Sequence, residues 1–424
     1  MELPYLTTDF PGIGGAIKQR PEDFFVQELP LYEASGEGEH VYCEIQKIGL
    51  STFDLLARLA RALNVPQRDI GYAGMKDARA ITRQLFSIRG TTEEAVMNLK
   101  IPDVQVQWAS RHLNKLRLGH LSGNRFAIKI RNVNPTDVLK IRPVLEELQK
   151  RGMPNYFGEQ RFGRRGNNHE LGAALIRGDN VALLKLLLGS PNPAIDDRAT
   201  QEARRLFDEH QNDESMKAWP RRSGLERRVL ARLMKTKKPN AAVRAIDEKL
   251  RRLWVSALQS KLFNEVVAQR IGQLDQLMDG DLAYKHENGA CFRVESAAVE
   301  QPRCDAFEIS PTGPLLGYRM TLPEGRPLEI ESAVFGKSGL EMSDFKLAGR
   351  ERVKGARRPL RVKPTDTELS GGVDEHGPYV TVAFTLPAGS FATVLLGELM
   401  KRLPTEQAEE TEEAPAEIDP AVAD

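Results

Sequence analysis

The sequence predicts an α+β protein with more than one domain. Alternation of apolar and polar residues predicts strands, most clearly over residues 126–131 and 379–386. Apolar residues at helical spacing predict helices over residues 51–63, 138–150 and 253–271. A chain of 424 residues is long enough for two or three domains, or for one core with a large insertion.

The remaining elements follow along the chain. Residues 18–48 are predicted to form short strands around a Gly- and Glu-rich turn, and Ser51 or Thr52 can cap the first helix. A short helix with an acidic first turn is expected over residues 92–99. Near the end, Ser390 is the candidate N-cap of a helix that runs to Met400.

Composition excludes several classes of protein. Apolar content of 41% and charged content of 28% are typical of a soluble protein, and no apolar run is long enough to span a bilayer. The N-terminus lacks the features of a secretory signal, so a cytoplasmic enzyme is expected. The three cysteines and seven histidines lack metal-ligand spacing, and the glycine motifs at Gly12 and Phe335 are each incomplete. We therefore predict no metal and no nucleotide cofactor.

The net charge of +1 is distributed unevenly. Residues 404–424 carry eight acids and no Lys or Arg, which predicts a disordered tail and leaves a basic body. Residues 217–252 hold 13 Lys or Arg against three acids, and residues 346–363 hold eight against one. Such a balance is compatible with a polyanionic partner, although a run of charge is usually a solvated face.

One stretch, GYAGMKDARAITRQLFSI at residues 71–88, contains a candidate reactive group. A glycine-bounded loop presents Asp77 between Lys76 and Arg79, and cations on both sides favour the ionised carboxylate that a nucleophile requires. The same residues also fit a solvated turn or a helix N-cap, so chemistry alone leaves both interpretations open.

The sequence GYAGMKDARAITRQ resembles the signature of the TruD family of tRNA pseudouridine synthases. Further segments are similar to the family's motifs in the same order: PEDFFVQE from Pro21, GNRF from Gly123, NYFGEQRFG from Asn155, ALQSKLFN from Ala257, PTGPLLG from Pro311 and LPAGSFAT from Leu386. The resemblance implies a pseudouridine-synthase-type mixed antiparallel sheet. The catalytic domain would comprise residues 1–151 and 361–403, interrupted by an α/β insertion at 152–360 and followed by the tail at 404–424.

The resemblance also implies roles for single residues. Asp77 corresponds to the family's catalytic carboxylate, Phe24 to an aromatic facing the substrate base, and Asn124 and Phe391 to substrate contacts. Phe126 matches the aromatic residue near the catalytic Asp, although strand patterning explains Phe24 and Phe126 equally well as core residues. Lys76 and Arg79 could hold Asp77 ionised and contact phosphate groups of the RNA, with assistance from Lys18. The NYFGEQRFG loop, with its aromatics and arginines, suits phosphate contacts and stacking, or is simply a loop with exposed arginines.

The implied reaction is the isomerisation of a uridine in tRNA to pseudouridine, mainly at position 13 of the D-arm, without a cofactor. We separately expect a monomer. Asp77 would either attack the nucleoside covalently or act as a base at the ribose. The alternative is a non-catalytic RNA-binding or RNA-folding protein of the same fold.

Overall fold

The chain forms two compact units. The computed structural model describes residues 3–347 and 353–401; residues 3–155 and 361–401 form the first unit, and residues 156–347 and 353–360 form the second. The predicted acidic tail at 404–424 lies outside the described residues. Among the described helices, none has the length and apolar character needed to cross a membrane.

The elements alternate along the first unit and are mostly helical at the start of the second. Residues 3–155 contain β1 (Phe24–Pro30), β2 (His40–Ile48), α1 (Thr52–Ala62), β3 (Ile70–Tyr72), β4 (Ile81–Arg89), α2 (Glu93–Met97), β5 (Val104–His112), β6 (Leu121–Arg131), α3 (Val138–Arg151) and β7 (Met153–Pro154). The second unit contains α4 (Asn168–Arg177), α5 (Asn180–Leu188), α6 (Arg198–Asp208), α7 (Asn212–Ala218), α8 (Gly224–Thr236), α9 (Pro239–Val243), α10 (Glu248–Gln269), β8 (Leu282–Lys285), β9 (Cys291–Arg293), α11 (Ala297–Asp305), β10 (Ile309–Leu315), α12 (Gly325–Ser338), α13 (Met342–Leu347) and β11 (Ala356–Pro359). The chain then returns to the first unit with β12 (Arg361–Val362), β13 (Thr365–Asp374), β14 (Gly377–Pro387) and α14 (Ala392–Met400).

An eight-stranded mixed sheet is the framework of the first unit. Its strand order is β13-β14-β6-β1-β4-β2-β5, with β3 paired to β4. The β1–β4 pair is parallel and the other pairs are antiparallel, which confirms the predicted α+β class with a mixed sheet. The parallel pair sets Phe25 opposite Ile81, so the chain entering β4 lies beside the start of β1.

Two hydrophobic clusters cover this sheet. Apolar residues of β6 and β14, including Phe126 and Phe384, pack with Leu145 of α3 and Leu395 of α14. A second cluster joins α1 to β2 and β4. Burial alternates along β14 and the second half of β6, because every second side chain points to the same face. Strands β2 and β4 are instead buried over most of their length.

Local signals place some helix ends and miss others. The Ser51 hydroxyl accepts from the Asp54 N–H at 3.1 Å, so the predicted cap of α1 is confirmed. The prediction for Ser390 is wrong, since α14 begins at Ala392 with Phe391 in the N-cap position. The two prolines and two glycines of residues 311–317 predict a rigid turn, and this prediction is wrong over most of the segment. There β10 is wholly buried and pairs with β8 and β11, because the fixed φ of proline is compatible with an extended strand.

The second unit is organised around α10. This helix begins at Glu248, earlier than the predicted start at residue 253, and its buried residues include Trp254, Leu258 and Phe263. Helices α4, α5, α8 and α9 contribute to the same hydrophobic cluster as Trp254. A four-stranded sheet of order β11-β10-β8-β9 completes the unit.

Candidate active site

The loop that carries Asp77 connects β3 to β4 and is held by buried polar side chains. The Thr52 hydroxyl accepts from the Lys76 N–H at 3.0 Å, and the Gln84 amide donates to the Gly74 carbonyl. Thr52 also donates to Gln84 at 3.3 Å. These bonds take the place of strand pairing in the loop, so the backbone just before Asp77 has defined hydrogen-bond partners.

Asp77 itself is exposed and paired with a cation from a distant part of the chain. Its Oδ2 lies 2.8 Å from Nζ of Lys18, and the two side chains are 42% and 12% exposed. The same Nζ lies 4.7 Å from the centre of the Phe24 ring. Lys18 has φ of +56°, an uncommon conformation for a residue other than glycine. Lys18 therefore links the carboxylate to the aromatic side chain that the sequence placed at the substrate base.

Lys76 points away from the carboxylate and into the protein. Its Nζ lies 3.0 Å from Oε2 of Glu28 and donates to Oδ1 of Asn124 at 2.8 Å. The Lys76 and Glu28 side chains are only 6% and 1% exposed. The β1–β6 register sets Glu28 opposite Asn124, which explains how one ammonium group reaches both. Because the Asn124 carbonyl accepts from Lys76, its NH2 group is directed away from the ion pair.

The three candidate substrate-contact phenylalanines differ in how far they are buried. Phe24 and Phe126 are 4% and 7% exposed and belong to the hydrophobic core of the sheet. The Phe126 ring stacks on Phe384 with centroids 5.2 Å apart. Phe391 is half-buried and follows β14, whose last residues pair with Gly123 and Asn124. Arg79 is exposed, two residues beyond Asp77.

A second ionic cluster holds the segment before β1. Asp23, fully buried, accepts from Arg131 at 2.6 Å, and Arg131 donates to Asp374 at 2.6 Å. Hydrogen bonds from Arg131 and Lys129 hold the pKa of the Asp374 carboxyl well below its usual range. Since Asp23 immediately precedes Phe24, this cluster fixes the entry of the chain into β1.

Other predicted contacts turn out to serve the fold of the second unit. In the NYFGEQRFG segment, Tyr156, Phe157 and Arg161 are buried, and the Arg161 guanidinium lies 5.1 Å from the Phe157 ring. The predicted exposed stacking surface is therefore wrong for these three residues, because a cation on a buried ring is internal packing. In the basic segment at residues 217–252, Arg227 likewise donates to the carbonyl of Trp219 at 2.9 Å.

Sequence reasoning missed Lys47. This lysine is fully buried in β2, and its Nζ donates to the carbonyls of Leu50 and, at 3.1 Å, Asp77. Burial lowers its pKa from 10.5 to about 8, an effect that the nearby Asp77 carboxylate partly opposes. The only signal in the sequence was the position of Lys47 inside the predicted strand segment VYCEIQKIG, next to Ile48.

The buried ammonium of Lys47 predicts a specific pH dependence of stability. Below pH 8 both folded and unfolded chains carry the proton, whereas between about pH 8 and pH 10.5 only the unfolded chain retains it. Stability therefore rises with pH through this window relative to Lys47→Met, by about 3 kcal/mol in total. Urea denaturation of both proteins from pH 7 to pH 10.5 measures the difference, and a difference independent of pH would contradict it.

Comparison with known proteins shows the family to which the chain belongs. The model of the family described as "tRNA pseudouridine synthase D (TruD)" matches residues 1–399. The chain belongs to the TruD family. Among its relatives, the tRNA pseudouridine synthase D of Geobacter metallireducens is 46% identical over 94% of this chain and 98% of the relative. That of Syntrophotalea carbinolica is 45% identical with the same coverage.

A solved structure is also similar over most of the chain. It is a crystal structure from Methanosarcina mazei, described as that of a tRNA pseudouridine synthase D (TruD), with a TM-score of 0.83 and 30% identity. The match covers 95% of this chain and 99% of the solved one. The described residues of this TruD-family member include no group of three or more His, Cys, Asp or Glu side chains placed to hold a metal ion.

Proposed function

We propose that this chain is a tRNA pseudouridine synthase that isomerises the uridine at position 13 of the D-arm by means of Asp77. One observation carries the proposal: on a chain of the TruD family, an exposed carboxylate pairs with Lys18, whose Nζ also lies against Phe24. The neighbouring Lys76 holds Asn124 by its amide carbonyl. Lys18 thus connects the candidate carboxylate to an aromatic ring, and Lys76, the residue before Asp77, holds an amide donor.

The reaction exchanges one bond at the ribose for another. The bond from C1′ to N1 breaks, the uracil turns, and C1′ bonds to C5; C5 then loses its proton and N1 gains one. No redox change occurs. Asp77 either attacks C1′ or removes a proton from the ribose, and both routes require the ionised carboxylate. The Lys18 ammonium pairs with one carboxylate oxygen of Asp77 at 2.8 Å, and the side chain of Asp77 stays 42% exposed and accessible.

The uridine must leave the RNA stack before Asp77 can reach its ribose. Extruding a base costs a few kcal/mol, which contacts in the protein must offset. Phe391 is the half-buried aromatic suited to stacking on the base, and Phe24 forms the wall beside Lys18. The Asn124 NH2 group can donate to a uracil carbonyl. These assignments give the substrate-contact residues distinct tasks.

The position of the modified uridine is directly testable. The purified chain should form pseudouridine in an unmodified tRNA transcript with uridine at position 13, and none in the same transcript with cytidine there. Carbodiimide labelling followed by reverse transcription locates the product. Pseudouridine at another site would overturn the assignment to position 13 but not the proposed activity. Binding of tRNA without any product would favour the non-catalytic RNA-binding or RNA-folding alternative.

We propose that the chain acts as a monomer in the cytoplasm.

A further inference from the structure

A second surface of the first unit combines positive charge, aromatic rings and exposed leucines. It is a pocket of about 510 Å³, here called the Tyr32 pocket, lined by residues that include Tyr32, Glu33, His112, Lys115, Arg117 and His120. These residues come from the segment after β1, from the last residue of β5 and from the loop that joins β5 to β6. None of them takes part in the contacts described around Asp77, so the pocket requires a separate explanation.

The walls of the pocket are ordered aromatic groups. The Tyr32 and His112 rings are stacked, with centroids 5.3 Å apart and an angle of 16° between their planes. The Tyr32 hydroxyl is 2.8 Å from Nδ1 of His120 and 3.4 Å from the Tyr42 hydroxyl. Tyr32 is half-buried, so its ring is held while part of it remains accessible. A fixed, partly exposed aromatic ring is the kind of surface on which a nucleobase stacks.

The segments that line the pocket carry both charged and exposed apolar side chains. Arg117 is exposed and Lys115 half-buried, with Glu33 as the carboxylate of the lining. Leu31, Leu113 and Leu118, on the same two segments, are 58%, 55% and 57% exposed. They are three of the nine large hydrophobic residues exposed in the described part of the chain. Cations beside exposed apolar groups fit a ligand with both phosphates and unstacked bases.

The loop of the Tyr32 pocket is joined directly to the loop that carries Asp77. The Gly119 N–H donates to the Ala73 carbonyl at 2.8 Å, and the Leu116 N–H donates to the Ser87 hydroxyl at 2.9 Å. A Cβ at Gly71 would lie 2.2 Å from the Leu116 carbonyl oxygen, so this close approach requires glycine. The segment that lines the Tyr32 pocket therefore adjoins the loop that carries Asp77, within the same unit.

We propose that the Tyr32 pocket binds an unpaired nucleotide of the substrate tRNA near the target uridine. Lys115 and Arg117 contact its phosphates, and Tyr32 with the exposed leucines contacts its base. The inference rests on the proposed function, because it takes tRNA as the ligand. It adds a binding site that holds the RNA in place while the uridine is turned towards Asp77.

Paired substitutions test the two kinds of contact. Lys115→Ala with Arg117→Ala should weaken tRNA binding about tenfold at 0.15 M salt and lower the salt slope by about one to two. Leu113→Ser with Leu118→Ser should weaken binding several-fold with the salt slope unchanged, because no charge is lost. The charge-matched control is Arg142→Ala with Lys150→Ala on α3, which packs against β13 at the other edge of the sheet from β5. Titrations of labelled tRNA at several salt concentrations measure all three.

A structural role of Lys115 is controlled separately, since its Nζ donates to the Arg68 carbonyl. Lys115→Arg with Arg117→Lys keeps both charges and should retain affinity within a few-fold. The proposal is overturned if either the Lys115/Arg117 variant or the Leu113/Leu118 variant binds tRNA as tightly as the α3 control variant does. Pseudouridine formation by the wild-type chain is assayed in parallel. If the wild-type chain forms pseudouridine and the variants bind tRNA as well as it does, only the role of the Tyr32 pocket is rejected. If the wild-type chain binds tRNA but forms no pseudouridine, only the proposed function is rejected.

Discussion

Asp77→Asn should reduce pseudouridine formation by about 10⁴-fold or more while changing tRNA affinity by no more than a few-fold. An amide has nearly the shape of the carboxylate, but it is neither a nucleophile nor a base under these conditions. The side chain of Asp77 is 42% exposed, so the loss of its ion pair with Lys18 should change stability by at most about 1 kcal/mol. Single-turnover assays with excess protein separate the chemical step from binding.

The control for Asp77→Asn is Asp9→Asn, which makes the same chemical change at another exposed aspartate of the first unit. It should retain the wild-type rate. Turnover of the Asp77 variant at a rate close to that of the control would show that another group performs the chemistry. A large loss of tRNA affinity in the variant would instead assign Asp77 to binding.

Lys76→Met should destabilise the first unit by about 3–5 kcal/mol, the largest stability effect that we expect from one substitution near the site. The change leaves Glu28, which is 1% exposed, without the ammonium group that lies 3.0 Å away. A buried carboxylate that loses its counter-charge pays the full cost of its desolvation. The Lys76→Met substitution also removes the hydrogen bond from Nζ to the Asn124 carbonyl, so turnover should fall as well.

The double variant Glu28→Gln with Lys76→Met separates these two effects. A glutamine can still accept from the Leu85 N–H, as the Glu28 carboxylate does at 3.3 Å, and it carries no charge into the interior. Most of the lost stability should therefore return in chemical denaturation. Turnover should stay low, since Asn124 still lacks its partner. Equal stability of the single and double variants would contradict the role of the buried charge, and full recovery of turnover would contradict the positioning of Asn124.

Several features could be predicted from the sequence because they depend on neighbours in the chain. The hydroxyl of Ser51 needs only the following turn to cap α1, and the alternation in residues 379–386 needs only one buried face. Motif resemblance identified the family, and the family model and relatives confirm it. The same resemblance singled out Asp77 as the candidate catalytic residue, which stays a prediction until the variant is assayed.

The partners of these residues could not be predicted in the same way. The local sequence placed Lys76 and Arg79 beside Asp77, but the ammonium that faces the carboxylate belongs to Lys18, 59 positions away. The parallel pairing of β1 with β4 brings these segments together, and no pattern within either segment encodes that pairing. Burial of Lys47 likewise depends on elements packed around its strand.

The sequence by itself determined the family, the α+β class and the loop that carries the candidate carboxylate. Tertiary structure alone decided which lysine faces Asp77, which one holds Asn124, and which aromatics and arginines are buried inside the units. The physical reason is range. Capping, alternation and motif identity act over a few residues, whereas ion pairs and burial depend on strand register between segments far apart in the chain.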